Sequence, residues 1–422
     1  MKNSALIVFA FVCLVGSTDA ASPTDWPQFR GADRNGLSKD SGLLKEWPEG
    51  GPAVAWSIDN VGDGYSSLAV SDGRIFTLGN AGDEGRIICL NEADGTVAWS
   101  VRSPAESKVY THGRGNGARG TPTVDGDLVY AIGGGGDLTC LKAATGEVVW
   151  SKHLVSDLGG GRPGWGYSES PLVDGDNLIV VPGGKQGTIA ALNKLTGEVV
   201  WRSEGIVDKA HYCSPIAVES HGVRQIITFT GGLGKRSDTP ARVLGVDAGS
   251  GDLLWSYNGS ANGTASVSTP LFHNDMVFSA SAYGTGGGAV RIEKNEDGFS
   301  SPEVYFEKKM QNHHGGMVLL DGHIYGTGSG SLICMNFETG EIKWQARAAG
   351  KGSLTYADGH LYCYGEKNVV ALVEANPDEY VEKGLFKVEK GSFPSWAHPV
   401  VANGKLYLRD MTNLTCYNVR AE

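Results

Sequence analysis

The sequence predicts an all-β fold, an eight-bladed β-propeller of four-stranded blades closed by its N-terminal strand, on three observations. A tight-turn dipeptide of the Asx-Gly type recurs eight times along the 422 residues, at a period of roughly forty to fifty residues. Five repeats carry a second turn followed, at invariant spacing, by tryptophan. The last repeat runs out of chain one strand early, and a matching strand stands near the amino terminus. Radial repetition of this kind leaves only short, protected strand edges, which a stack of separate β-sandwiches would not explain.

In chain order, Lys2, the apolar stretch from Ala5 to Val15 and the small-residue end Thr18-Asp19-Ala20 read as a signal peptide, residues 1–20, cleaved after Ala20. The stretch is too short to span a bilayer. Val12 precedes Cys13 where a lipoprotein signal carries a small residue, so no lipid anchor is expected. A polar lead-in, residues 21–51, places Trp26 and Phe29 within four positions and is expected to pack these aromatics along the side of the barrel. Residues 52–422 are expected to form a single propeller domain.

The first kind of turn falls at Asp72-Gly73, Asp125-Gly126, Asp174-Gly175, His221-Gly222, Asn274-Asp275, Asp321-Gly322, Asp358-Gly359 and Asn403-Gly404. These dipeptides tolerate the positive φ of tight hairpins, and the flanking runs are rich in β-branched and aromatic residues. The second kind is Asp94-Gly95, Thr145-Gly146, Thr196-Gly197, Ser250-Gly251 and Thr339-Gly340, each with a tryptophan four residues after its glycine: Trp99, Trp150, Trp201, Trp255 and Trp344. Two repeats are degenerate, with Phe306 and Phe386 as the candidates for the tryptophan place, and Trp56 supplies the strand missing from the last repeat.

The run Cys140 to Trp150 resembles the docking motif Ala-x-Asp-x-x-Thr-Gly-x-x-x-Trp of PQQ-type quinoprotein propellers. It recurs over Cys89 to Trp99, Ala191 to Trp201, Gly245 to Trp255 and Cys334 to Trp344. The lead-in Trp26-Pro27-Gln28-Phe29-Arg30-Gly31 is similar to that of exported bacterial PQQ-like propellers. The resemblance implies that Trp56, Trp99, Trp150, Trp201, Trp255 and Trp344 are structural, each indole stacking on a small residue and a glycine peptide of the adjacent blade. It also makes Cys89, Cys140, Cys334 and Cys416 small spacers in separate blades, too far apart to bridge. Cys213 and Cys363 stay unassigned.

A net charge of -11 argues against nucleic acid and anionic membrane as partners, and no mature segment is apolar enough to cross a bilayer. In a four-stranded blade the two tight turns share one face. Length and chemistry therefore vary on the other face, where binding residues are expected on loops held by a rigid scaffold. The innermost strands begin there, so Tyr65, Arg119, Glu169, His211, Tyr212, His313, His314, Trp396 and His398 are expected to ring the channel mouth as a ligand-binding surface. No catalytic residue is assigned. The histidines lack paired zinc spacing on one element, so no metal set is assigned either.

Three functions fit this reading. The first is an exported, non-enzymatic binding or scaffold propeller of the bacterial cell envelope, periplasmic or secreted, similar to BamB-type propellers of the outer-membrane assembly machinery, without cofactor and with an envelope protein as partner. The second is an alcohol or sugar dehydrogenase using PQQ and calcium, with Glu169 and Asn116 as possible calcium ligands, although the chain has no vicinal cysteine pair. The third is a propeller binding a glycan or small polyol on Tyr65, Trp165, Tyr167, Tyr212 and Trp396.

Overall fold

The computed structural model describes residues 22–103, 110, 111, 113, 115–232, 240–389 and 394–421; the signal-peptide reading lies outside them. Eight four-stranded antiparallel sheets form the ring, six from strands consecutive in the chain, one interrupted by an extra hairpin and the eighth completed from the other end of the chain. Blade 1 runs from Ala69–Ser71 through Arg74–Ala81 and Glu84–Asn91 to Val97–Arg102, and blades 2, 3, 4, 6 and 7 repeat the plan. In blade 8, Val400–Ala402, Lys405–Asp410 and Asn413–Asn418 are joined by Ala53–Ile58, which pairs with Asn413–Asn418 and sets Trp56 opposite Cys416. Second and third strands are buried on both faces, as in Leu128–Ile132, because each blade packs between two others. The hairpin turns use the conformation their residues permit: Asn403 has φ 55° and Gly404 φ 75°.

The same geometry fastens neighbouring blades. The indole N–H of Trp99 donates to Ala143 O of blade 2 at 2.9 Å, that of Trp150 to Lys194 O at 3.0 Å, and that of Trp201 to Ala248 O at 3.0 Å. Trp56 donates to Glu92 O at 3.1 Å and Trp344 to Asn376 O at 2.8 Å. The ring of Trp150 lies on Gly197, where a Cβ would come within 2.8 Å of it, which is why the turn needs glycine. The small residue is the cross-strand partner of the tryptophan in its own blade, as Cys140 is of Trp150, so only the glycine platform comes from the adjacent blade.

Blade 5 departs from the plan. Its docking ring is Tyr305, not Phe306: Tyr305 sits opposite Ala289, covers Gly340 and donates to Phe337 O at 2.7 Å, whereas Phe306 is 39% exposed. In place of a Thr-Gly turn the blade carries an extra hairpin, Glu293–Asn295 with Gly298–Ser300, so the tight-turn face is not uniformly short. Trp255 of blade 4 consequently has no glycine platform beyond it; it folds over Gly245 of its own blade and donates to Gln225 Oε1 at 2.7 Å. Phe386 is buried against Trp47 and Tyr417, with centroids 5.0 and 5.2 Å away. All six cysteines described are free and buried, Cys213 and Cys363 in the core with the rest.

One guanidinium clasps the closure. Arg409, 1% exposed in the second strand of blade 8, donates to Met411 O, Ser66 O, Thr77 Oγ1, Leu78 O, Gly62 O and Val61 O, thereby holding blade 8 to the entrance of blade 1. Burial pushes its pKa down to about 9.

The lead-in does not follow the barrel side. It dips into the channel from the tight-turn face as a loop. Trp26 bridges to Val70 of blade 1, Pro27 O accepts from Val124 N of blade 2, and Leu37 bridges to Tyr356 of blade 7. At its tip Arg34 donates to Ser170 O at 2.7 Å and Pro171 O at 2.9 Å in blade 3, while Arg30 reaches Met317 O in blade 6. Inner-strand entrances expose carbonyls into the channel, and two arginines supply the donors; their position is set by polar satisfaction, not by the aromatics alone.

Candidate functional site

Above this stopper, at the face where inner strands begin, lies a cavity of about 440 Å³. Phe29, from the tip of the lead-in, lines it from below. Its walls carry two aromatic pairs, Tyr65 with Trp396 at 4.7 Å between centroids and Trp165 with Tyr212 at 5.5 Å. Arg119 lies over the Tyr65 and Tyr110 rings at 5.2 and 5.6 Å and donates to the carbonyls of Gly117 and Gly115, both at 3.2 Å. Desolvation lowers its pKa, and among the described residues it has no salt-bridge partner. Such an apolar concavity with a few fixed polar groups is the form small-ligand sites take.

His313 and His314 come from the segment before the inner strand Met317–Leu320, and His398 from the segment before Val400–Ala402. Gly315 presses against Gly352 O and Gly316, at φ 65°, against Arg30, so the chain turns tightly and both His313 and His314 reach the cavity. Their Nδ1 atoms are 3.0 Å apart, one donating to the other. His313 Nε2 meets the Tyr283 hydroxyl at 2.9 Å. His398 packs edge-on to Phe29 and donates from Nε2 to His314 O at 2.6 Å. Burial, with Lys351 nearby, holds His313 down to about 4; burial and Arg30 hold His398 down to about 3; His314 is lowered well below the ordinary value by burial and its charged or imidazole neighbours. These imidazoles are neutral at pH 7.

Seven of the nine expected residues line the cavity: Tyr65, Arg119, Tyr212, His313, His314, Trp396 and His398. Glu169 and His211 do not. Side chains alternate at a strand entrance, so Ser168 and Tyr212 face the cavity while their neighbours turn into the wall. Both carboxylate oxygens of Glu169 accept from Val181 N, and burial raises its pKa to about 8. His211 Nδ1 accepts from Ser266 N at 3.1 Å, and burial lowers its pKa to about 4. Sequence reasoning missed Lys351, Glu366, Tyr283 and Phe29. Lys351-Gly352 occupies in blade 7 the place of Arg119-Gly120 in blade 2, a phase signal that could have found it. Glu366, in the loop after His360–Gly365, accepts from Trp396 Nε1 and pairs with Lys351 Nζ, each at 2.8 Å. No short signal marks it.

These donors do not fit a quinone with its calcium ion. The cavity lining contains no carboxylate among the described residues, and Glu169 is turned away and spent on a backbone amide. A hard cation asks for several oxygen ligands.

Fold and cavity together define the class: a closed eight-bladed ring, stoppered from one face, with a small-ligand-sized cavity at the other. The family model described as outer membrane protein assembly factor BamB matches residues 48–131, 83–345 and 307–379, and the chain belongs to that family of PQQ-like propellers. It is 24% identical over 284 residues to the outer membrane protein assembly factor BamB of Moranella endobia (strain PCIT), covering 63% of this chain and 68% of that protein. To the BamB of Yersinia pestis it is 27% identical over 176 residues, 41% of each chain. Among solved structures, BamB from Moraxella catarrhalis superposes with a TM-score of 0.60 at 17% identity, over 87% of this chain and 97% of that one. Quinohemoprotein alcohol dehydrogenase from Comamonas testosteroni gives 0.65 at 13% identity, over 94% and 81%. At these identities the structures share the fold alone. Among the described residues no helix is long and apolar enough to cross a membrane.

Proposed function

We propose that the protein is an exported propeller of the bacterial cell envelope that holds part of a partner, a segment of an envelope protein, in the channel-mouth cavity and does not turn it over. The observation carrying this reading is the cavity itself: about 440 Å³, aromatic-walled, closed below by Phe29 and open where the loops vary. Aromatic pairs beside an arginine are the residue types that anchor protein contacts. Catalysis has little support. Imidazoles with pKa values near 3 to 4 are weak bases at neutral pH, every described cysteine is buried, and Glu366, the carboxylate beside His314 among the described residues, is committed to Lys351 and Trp396.

The test is a Tyr65→Ala, Trp396→Ala double variant and the wild type, each carrying a photo-crosslinker at Gln311 on the cavity rim, in intact envelope. The wild type should crosslink reproducibly to one envelope protein, and the variant, folded by circular dichroism, should lose at least tenfold of that product. Equal crosslinking by both would place the partner elsewhere. A glycan retained by the wild type and lost by the variant would replace the protein partner with a saccharide.

A further inference from the structure

One cluster on the cavity wall carries chemistry that partner binding leaves unassigned. His313 and His314 are adjacent in sequence, yet both present Nδ1 to the same point, and Glu366 brings Oε1 to 3.7 Å from His314 Nδ1. One ligand atom from each of the three residues lies within 4.8 Å of the others. A divalent metal bound at about 2.0 to 2.2 Å by nitrogen and oxygen sets neighbouring donors about 3.3 Å apart in a tetrahedron. The observed separations of 3.0 and 3.7 Å bracket that value. We propose that His313, His314 and Glu366 form a binding site for a divalent transition-metal ion of the zinc type, with its open coordination position facing the channel-mouth cavity.

His314 is half-buried, and its Nε2 is buried without a hydrogen-bond partner, so of its two ring nitrogens only Nδ1, which faces His313 and Glu366, is engaged. Two further observations point to the site. The supporting contacts have the form expected around metal ligands: Tyr283 OH lies against the far nitrogen of His313, Trp396 Nε1 orients the Glu366 carboxylate, and His398 pins the carbonyl between the histidines and the following glycines. Lys351 Nζ, 2.8 Å from Glu366 Oε1, puts a cation where the metal would need the carboxylate. Two imidazoles and one carboxylate suit a borderline ion and not calcium. On binding, the imidazole that donates from Nδ1 shifts that proton to its own Nε2, so both neutral rings offer an Nδ1 lone pair, no proton is released, and the Lys351 ammonium leaves the carboxylate for solvent. The site rests on the cavity described above but not on any partner.

The experiment uses chelator-stripped full-length mature protein and the metal alone. Titration with Co²⁺ should produce visible ligand-field bands saturating at one equivalent, with Zn²⁺ bleaching them. His313→Gln and His314→Gln should each weaken binding at least a hundredfold, and His323→Gln, on a distant turn, should leave it unchanged. Lys351→Met removes the competing ammonium and should tighten binding about tenfold. No stoichiometric Co²⁺ spectrum from the wild type, or an unchanged affinity in both histidine variants, overturns the site. Should a glutamine variant fail to fold, Lys351→Met decides, since affinity that does not rise is equally fatal. Crosslinking that is absent from the wild type, or equal in wild type and the Tyr65→Ala, Trp396→Ala variant, with metal binding intact, would sink the partner reading and leave this site standing.

Discussion

Replacing Arg409 by methionine should loosen the ring at its closure more than any other single substitution of equal volume. The side chain is 1% exposed and gives six hydrogen bonds, from 2.6 to 3.4 Å, five of them to backbone carbonyls around Val61, Gly62, Ser66, Leu78 and Met411. Methionine fills much of the space and donates nothing. Bonds from a charged donor contribute about 1.5 to 3 kcal/mol each when counted singly, but they are not additive, and removing the arginine also recovers the cost of burying its charge. The net loss is therefore set at about 3 to 5 kcal/mol, well below the sum of six acceptors left unsatisfied at about 1 to 3 kcal/mol each, because the buried charge is removed with them. With an unfolding entropy of about 0.8 kcal/mol/K for a domain of this size, the melting temperature should fall by about 4 to 6 °C. Urea denaturation supplies the free energy, and hydrogen exchange should locate it, with Ala53–Ile58 and Asn413–Asn418 losing protection first. Arg409→Lys, with three donors instead of five, should fall between. A methionine variant within about 1 kcal/mol of wild type, or one that loses protection evenly around the ring, would refute the clasp.

Trp150→Ala should cost about 3 to 5 kcal/mol by urea denaturation, because it empties an interblade site and strands Lys194 O, while Phe306→Ala, exposed beside the real docking ring, should cost little. Between pH 7 and 5, His211, held near 4 when folded against 6.5 unfolded, binds its proton only in the unfolded chain, so acid removes about 2 kcal/mol of stability. Glu169, raised to about 8, keeps a proton that the unfolded chain has lost, and its contribution grows by about 2 kcal/mol over the same descent. Glu169→Gln should therefore steepen the acid loss measured by urea midpoints; an unchanged slope would mean that Glu169 is ionised. Adding PQQ and Ca²⁺ to the purified protein should give neither a shifted quinone spectrum nor dye-linked alcohol oxidation, and robust dye reduction would restore the dehydrogenase reading.

The blades were legible because their signals are local. A turn dipeptide, a strand-period run and a tryptophan four residues beyond a glycine all lie within one repeat, and the missing last strand could be matched to Trp56 by composition. What failed was non-local. In blade 5 the extra hairpin Glu293–Asn295 with Gly298–Ser300 replaces the turn glycine from which the ring position is counted, so spacing does not choose Tyr305 over Phe306 as the ring that faces Gly340 of the next blade. The mouth residues were found as a ring of strand entrances, but alternation there sends Glu169 and His211 into the wall, and the phase of that alternation is fixed by hydrogen bonds to Val181 and Ser266. Glu366 reaches the histidines from the neighbouring blade, through a loop whose sequence carries no mark.

The path of the lead-in also changes what kind of wheel this is. In a bare propeller each blade touches only the next, and a rupture anywhere opens the circle. Here a single strand of chain lies at the axle and is bonded to blades 1, 2, 3, 6 and 7, so sectors that never meet along the rim are linked through the hub. The same axle turns a tube into a cup. Whatever settles in the mouth has one way in and must leave by it, past the loops that admitted it.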